Sequence, residues 1–287
     1  MDDIRRFNEK QQIKKETMND SPERQAETYR MIQAREDFSS NPLQATFNFL
    51  FPYFRLNSFT VIYFIICVLA YGVQYFVYAN HTWTCTLYKC GANYLPSIQR
   101  LHQFYRLIAP TVLHLNIWHI LMNLFALLML GNSSEHFLGS FKFFLLLILS
   151  GITGNLFSAS FSDPCGLAVG ASTCIMGVLA MHLIWFFTVW RHLGPFKYIY
   201  AVYLAIMTGT LLFGGFSYKA SNVDSWGHIG GFIAGLCFTL ALYEGARQHE
   251  ILRKFRVLAS VVIILLVCAS TGWILIRETN RCHARVC

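Results

Sequence analysis

Seven long apolar stretches constrain this chain more than any other feature. They cover roughly residues 58–78, 107–130, 138–157, 170–190, 198–216, 226–243 and 257–276, with polar or turn-forming residues between them. A hydrocarbon layer of about 30 Å is crossed by about 20 apolar residues of helix, whereas the strands of a membrane barrel alternate over about ten residues. The pattern therefore predicts an all-α polytopic membrane protein.

The composition agrees with lipid as the solvent. Of the 287 residues, 55% are apolar and only 13% are charged, whereas soluble domains carry about 25% charged residues. The net charge of +8 is spread over tails and loops, without a compact basic face or a nucleic-acid motif. We therefore expect the lipid bilayer, and not nucleic acid, to be a partner of the chain.

The N-terminal tail is polar and lacks the apolar core of a cleaved signal peptide, so the first apolar stretch is expected to act as a signal anchor. When this tail is placed in the cytosol, lysine and arginine are more abundant on the cytosolic face, mainly because of the tail itself. An odd number of spans then makes the C-terminus external. The aromatic-rich segment between Pro42 and Leu56 is expected to lie at the membrane interface.

The cysteines outside the apolar stretches fall on the external side in this arrangement, where disulfides can form. They are Cys85, Cys90, Cys165, Cys282 and Cys287. Pairing Cys85 with Cys90 is simplest, but five cysteines leave one over, and the sequence does not fix the connectivity. No group of cysteines and histidines has zinc spacing, so no metal site is expected.

Polar side chains inside apolar stretches are costly and tend to mark function. On the second stretch His119 and Asn123 are four residues apart and share a helix face. His114 is expected about 140° around that helix from His119. Pro110 and the polar residues after it predict a late helix start, which places His119 and Asn123 in the external half of the helix.

Ser172 opens the fourth apolar stretch. Gly170 and Ala171 leave little side-chain bulk before it, which favours a chain that dips into the membrane and starts a helix at the serine. The first N–H groups of a helix have no intrahelical acceptor, and they lie at the positive end of its dipole. Such groups can stabilise a developing oxyanion.

His228 opens the sixth stretch on the same side of the membrane as Ser172. Gly227, Gly231 and Gly235 follow the small-residue spacing that lets two helix backbones approach closely. A glycine-rich fourth stretch is the expected neighbour. This packing would bring the imidazole of His228 within hydrogen-bond reach of the Ser172 hydroxyl, as nucleophilic catalysis requires.

These groups together favour a Ser-His catalytic dyad. Ser172 would be the nucleophile and His228 the general base, while His119, Asn123 and the Ser172 backbone N–H would bind the oxyanion. Asp224, four residues before His228, is expected to cap the helix rather than to complete a triad.

The set of motifs resembles the rhomboid family of intramembrane proteases over roughly residues 56–245. The matching residues are His114-xxxx-His119-xxx-Asn123, Gly170-Ala171-Ser172 and Gly227-His228-Ile229-Gly230-Gly231. Two further motifs also match, and they resemble the family's short cytosolic turn and its Trp-Arg pair: Gly131-xxx-Glu135-xxx-Gly139 and Tyr105-Arg106. The departures are Thr173, where glycine is usual, Met176, where an aromatic residue often packs on the catalytic histidine, and Tyr105.

The resemblance implies a rhomboid-like bundle of 6+1 transmembrane helices, in which the extra span follows the six-helix core. That order is typical of eukaryotic secretory-pathway members, so the secretory pathway or plasma membrane is expected rather than the mitochondrion. The implied organisation is a cytosolic tail with an interfacial segment over 1–55, a catalytic membrane domain over 56–245, and a cytosolic loop, seventh span and short external end over 246–287. His114, Gly170, Gly227, Gly231, Gly235, Arg106 and Glu135 are expected to support the site.

The implied activity is cleavage of single-span membrane proteins in or near their transmembrane segment, without a cofactor. A lone serine or histidine in a membrane helix is more often a packing or hydrogen-bonding residue, and we expect only an inter-helix hydrogen bond from His182. Two other functions stay open, a non-catalytic relative that binds transmembrane clients and a transporter or channel. The intact Ser172 and His228 disfavour the first, and the lack of acidic residues within the apolar interiors disfavours the second.

Overall fold

The computed structural model describes residues 41–77, 81–190, 196–217, 223–279, 282 and 287. Regular structure in these ranges is helical, apart from one isolated antiparallel bridge between Asn93 and Ala168. The N-terminal unit contributes one described helix, α1 (Pro42–Leu50), whose first turn is capped by the Asn41 side chain. The tail predicted to be cytosolic, residues 1–40, lies outside the described residues.

Long helices form where the sequence has long apolar stretches. They are α2 (Phe59–Val77), α5 (Ile117–Leu138), α6 (Ser140–Phe161), α7 (Ser172–Val189), α8 (Phe196–Ser217), α9 (Ser225–Leu242) and α12 (Arg256–Ile276). Short helices lie in the connections: α3 (Trp83–Cys90), α4 (Leu95–Leu101), α10 (Glu244–Gln248) and α11 (Glu250–Lys254). Among the described residues, six helices have the length and hydropathy to cross a membrane, and α8 has an apolar stretch over Tyr200–Gly209. The predicted helical polytopic fold is therefore confirmed.

The second span, α5, starts later than its apolar stretch, as Pro110 predicted. Two 3-10 turns, Phe104–Leu107 and Ala109–Val112, occupy the beginning of that stretch. Asn116 then caps α5 because its side-chain oxygen accepts a hydrogen bond from the His119 N–H at 2.9 Å.

The far end of α5 corrects the sequence interpretation of a short turn around Gly131, Glu135 and Gly139. The helix continues to Leu138, and Gly139 alone, at φ +79°, links it to α6. The Glu135 carboxylate explains the extension. It accepts hydrogen bonds from the Phe59 and Thr60 N–H groups, both at 2.9 Å, and from Ser140 Oγ at 2.6 Å. Glu135 therefore joins the starts of α2 and α6 to the end of α5.

The backbones of α7 and α9 touch at two glycines of α9. A Cβ added to Gly231 would lie 2.2 Å from Thr173 O, and one added to Gly235 would lie 2.4 Å from Gly177 Cα. Both distances are far below van der Waals contact, so no side chain fits at either position. The helix α6 packs into the same junction, since a Cβ on Gly154 would lie 2.7 Å from Gly227 O. Three helices are thus held backbone to backbone beside Ser172.

The long connection between α2 and α5 is organised around the buried side chain of Arg106. Its Nη1 donates to Tyr88 O at 2.8 Å and to Ala92 O at 3.0 Å, and its Nε donates to Gln103 Oε1 at 2.6 Å. The guanidinium carbon also lies 4.3 Å from the centre of the Tyr88 ring. Arg106 therefore fixes α3 relative to the first 3-10 turn.

Two disulfides join the end of the chain to earlier connections. Cys85 pairs with Cys287 and Cys165 pairs with Cys282, while Cys90 remains a free thiol. The simplest pairing, Cys85 with Cys90, is not the one found. Both residues lie in α3, where five residues of helical rise separate two Cα atoms by about 7.5 Å along the axis, beyond the reach of a disulfide.

Substitution of Gly235 by alanine tests the backbone contact between α7 and α9. We expect Gly235→Ala to lower the free energy of unfolding by about 2 kcal/mol, because the helices must separate to admit the methyl group. Gly272→Ala is the matched control, since a Cβ on Gly272 in α12 meets nothing within 4 Å. Unfolding in detergent micelles measures both, and equal effects would contradict the proposed close contact.

Candidate active site

The hydroxyl of Ser172 and the imidazole of His228 are in direct contact. Ser172 is the first residue of α7 and His228 lies in the first turn of α9. The Ser172 Oγ to His228 Nε2 distance is 2.8 Å, which is a hydrogen-bond distance. The contact follows from the packing of Gly231 against Thr173, since it brings the first turns of the two helices together.

Gly170 gives the chain its approach to Ser172. Its φ of +142° is a conformation that L side chains rarely adopt. A Cβ at this position would lie 2.8 Å from His119 Cε1 and 3.3 Å from Ser172 Oγ. The Gly170 N–H donates to Pro110 O at 2.9 Å, which fixes the segment just before the serine. A side chain at Gly170 would therefore occupy the space between His119 and Ser172.

His119 and Asn123 lie on the same face of α5, and only the small Gly170 separates His119 from Ser172. The Leu115 N–H points at His119 Nδ1 at 3.4 Å, so this nitrogen serves as an acceptor and Nε2 carries the proton. Asn123 Nδ2 donates to His119 O at 3.0 Å within the helix. An amide nitrogen carries two N–H groups, so this bond leaves Asn123 a second one. Both side chains thus have N–H groups suited to an oxyanion.

His114 is fully buried behind His119. The two rings meet edge to face with their centres 5.3 Å apart. Burial, with a smaller contribution from His119, lowers the pKa of His114 to about 3, so its ring is neutral at physiological pH. His114 therefore packs on His119 rather than carrying charge.

Gln74 is a functional candidate to which the sequence interpretation gave no role. Its buried carboxamide bonds both sides of the His114 backbone: Oε1 accepts from the His114 N–H at 3.1 Å, and Nε2 donates to His114 O at 3.0 Å. These bonds tie α2 to the segment that carries His114. The sequence could have indicated Gln74, because it is the one amide near the end of the first apolar stretch. Such a group needs hydrogen-bond partners in the membrane.

Asp224 and His182 have the structural roles predicted for them. Asp224 Oδ1 accepts from the Gly227 N–H at 3.0 Å and caps α9, and it also accepts from Ser162 Oγ at 3.0 Å. His182 Nδ1 lies 3.1 Å from Ser134 Oγ, which links α7 to α5. The predicted helix cap and the predicted inter-helix hydrogen bond are confirmed.

Two of the predicted support residues lie away from the dyad. Glu135 is 16 residues along α5 from His119, which is about 24 Å of helical rise. Arg106 belongs to the connection between α2 and α5 and bonds within that connection. Both stabilise the fold and do not contribute side chains to the site.

A cavity of about 680 Å³ opens beside His119. Its wall includes residues 162 and 163, residues 166–169, the start of α9 at Asp224, and Thr84 and Leu87 of α3. Ser172 follows three residues after Val169. The cavity therefore borders His119 and the segment that precedes Ser172, and it has room for a segment of another polypeptide.

The chain matches the Rhomboid domain family over residues 101–245. Rhomboid-like protease 3 of Toxoplasma gondii is 31% identical over 228 residues, which cover 78% of this chain and 81% of that protein. Rhomboid protease GluP of Bacillus subtilis is 34% identical over 166 residues, which cover 57% of this chain and 30% of that protein. Inactive rhomboid protein 1 of Papio anubis is 32% identical over 155 residues, which cover 53% of this chain and 17% of that protein.

These matches and the helical fold define an integral, multi-pass membrane protein with an intramembrane-protease architecture. The chain belongs to the rhomboid family.

Replacement of Asp224 distinguishes a helix cap from a member of a catalytic triad. Asp224→Asn keeps a side-chain acceptor, so we expect the stability and the reaction of Ser172 with a fluorophosphonate probe to stay unchanged. Asp224→Ala removes the acceptor and is expected to lower the free energy of unfolding by about 1 kcal/mol. A loss of labelling near the ten-thousandfold typical of a lost triad carboxylate, in Asp224→Asn, would show instead that Asp224 orients His228.

Proposed function

We propose that this protein is an intramembrane serine protease that hydrolyses a peptide bond in or near the transmembrane segment of single-span membrane proteins. The observation that carries the proposal is the 2.8 Å contact between Ser172 Oγ and His228 Nε2 at the starts of two adjacent spans. The family includes proteases as well as a protein named inactive, so the proposal rests on these two side chains and their surroundings.

In the proposed reaction Ser172 Oγ attacks the carbonyl carbon of the substrate while its proton passes to His228 Nε2. This requires a neutral imidazole with its proton on Nδ1. When the tetrahedral intermediate collapses, the C–N bond breaks and the leaving amine takes the proton from His228. Water then attacks the acyl-enzyme with His228 again as the base, which releases the acid and restores Ser172.

The oxyanion of each intermediate would lie next to the first turn of α7. The Ser172 N–H, His119 Nε2–H and the second N–H of Asn123 are the proposed donors. Each such donor typically contributes about 3 kcal/mol of transition-state stabilisation. Gly170 keeps the space between His119 and Ser172 open, which is where the oxyanion and the small residues of an extended substrate would fit.

A peptide bond in a regular helix is shielded by its neighbours, so the substrate must present a locally extended stretch to Ser172. The cavity beside His119 is bordered by residues 162–169, and it would admit this stretch together with the water needed for hydrolysis. Substrates are therefore proposed to be single-span proteins whose helix unwinds easily near one end.

The two disulfides support an assignment of the sides of the membrane. They require an oxidising compartment, and Cys165 lies seven residues before Ser172. We therefore assign the catalytic side and the C-terminus to the external or lumenal face, and the N-terminus to the cytosol. The proposed organisation keeps the tail at 1–55, the catalytic domain at 56–245 and the loop with the last span at 246–287, in the secretory pathway or plasma membrane.

Removal of either dyad member tests the proposed nucleophile and base. We expect Ser172→Ala and His228→Ala each to lower the cleavage rate of a tagged single-span substrate in liposomes by at least about a thousandfold. Ser260→Ala is the matched control, because Ser260 lies near the start of α12 and its Oγ bonds to Arg256 O within that helix. Cleavage that survives Ser172→Ala would reject the nucleophile. A wild type that binds the single-span protein without cleaving it would favour a non-catalytic function.

Substitutions in the substrate test the requirement for an extended stretch. Replacing residues around the cut site by alanine or leucine, which are strong helix formers, is expected to slow cleavage, and glycine at the same positions is expected to accelerate it. The measurement is kcat/KM in liposomes for substrates of equal length and hydropathy. Equal rates for both sets would contradict unwinding as a step.

A further inference from the structure

Residues at the C-terminal end of α12 cap the C-terminal end of α6 with hydrogen bonds. Arg277, just after α12, donates from Nη1 to Ala159 O and from Nη2 to Ser162 O, both at 2.7 Å. Trp273 Nε1 donates to Ser160 O at 3.1 Å. The last carbonyls of a helix have no partner within the helix. Side chains at the end of α12 therefore supply hydrogen-bond donors to carbonyls at the end of α6.

The segment that follows α6, residues 162–169, borders the cavity and is here called the cleft segment. It is held by contacts spread along its length. Near its start, Ser162 O bonds to Arg277 and Cys165 is linked to Cys282. Near its end, the Ala168 N–H donates to Asn93 O at 3.1 Å. The first two contacts come from residues after α12, and the last comes from the connection between α2 and α5.

The residues after α12 are themselves fixed. Gln99 Nε2 donates to Leu275 O at 3.0 Å and to Arg277 O at 2.9 Å, and Thr279 Oγ1 donates to Gln99 Oε1 at 2.8 Å. The end of α12 is therefore docked on α4, and it gives Arg277 and Cys282 a rigid base from which to hold the cleft segment.

We propose that Arg277 and the Cys165–Cys282 disulfide are positioning groups for the cleft segment, through which the seventh span controls how tightly a substrate is bound. This inference rests on the proposed protease function. It gives α12 a role in the reaction through the cleft segment.

The effect should appear in substrate binding and not in the chemical step. Ser172 and His228 are brought together by Gly231 against Thr173, and Gly170 is tied to Pro110 O at 2.9 Å. None of these contacts involves α12 or the residues after it. Loss of Arg277 or of the disulfide would therefore loosen residues 163–167, while Ser162 Oγ stays bonded to Asp224 and the dyad keeps its geometry.

The test compares KM, kcat and fluorophosphonate labelling for the full chain in liposomes. For Arg277→Met and for the double variant Cys165→Ser with Cys282→Ser, we expect KM to rise about tenfold, which corresponds to about 1.4 kcal/mol of binding free energy. The values of kcat and the labelling rate should stay near those of the wild type. Arg277→Lys keeps a cationic donor, so its KM should rise less than that of Arg277→Met.

Two controls isolate the contacts with the cleft segment. Thr271→Ala changes an exposed residue of the same helix whose Oγ1 bonds to Val267 O, and it should leave KM unchanged. The double variant Cys85→Ser with Cys287→Ser removes the disulfide that does not reach the cleft segment. Reductant added to this folded variant then breaks only Cys165–Cys282, so it should raise KM even if the other double variant fails to fold.

The outcomes separate the two proposals. An unchanged KM in Arg277→Met and after reduction would overturn the positioning role, as would a parallel fall in kcat and labelling. An equal rise in KM on loss of Cys85–Cys287 alone would assign the effect to the C-terminal residues in general and overturn the specific role of Cys165–Cys282. A wild type that neither cleaves nor is labelled at Ser172 would overturn the protease function and this inference together.

Discussion

The backbone contact between α7 and α9 is the constraint on which the rest of the site depends. Gly231 against Thr173 and Gly235 against Gly177 place two helices closer than any side chain would allow. In a membrane there is no hydrophobic drive for helices to associate, so close packing of small residues is a main source of their attraction. The same contact that stabilises the bundle therefore sets the distance between Ser172 and His228.

Buried polar groups near the two ends of α5 serve different purposes. At one end the Glu135 carboxylate accepts four hydrogen bonds from Phe59, Thr60 and Ser140, which ties three helices together. At the other end His119 and Asn123 make bonds within or next to their own helix, and they are the donors proposed for the oxyanion. The Glu135 carboxylate has hydrogen-bond partners for both oxygens, as a structural site should. The N–H groups of His119 and Asn123 are instead proposed to bind the substrate.

Much of the fold was predictable because the membrane limits what a chain can do. Apolar stretches of about 20 residues strongly favour spans, and Pro110 marked the late start of α5. The polar residues His119, Ser172 and His228 were visible against an apolar background. The end of α5 was not, because Glu135 appears polar and turn-like until its partners on Phe59 and Ser140 are known. Disulfide pairing was equally hidden, since it depends on which connections meet in space.

The pairing of the cysteines also imposes an order on assembly. Cys85 and Cys165 precede their partners by 202 and 117 residues, and both partners follow α12. A chain synthesised from its N-terminus therefore contains Cys85, Cys90 and Cys165 before Cys282 and Cys287 are added. Burial raises the pKa of the Cys90 thiol in the folded protein, which disfavours the thiolate needed for disulfide exchange. Covalent closure of the bundle can therefore only follow the synthesis of the last span.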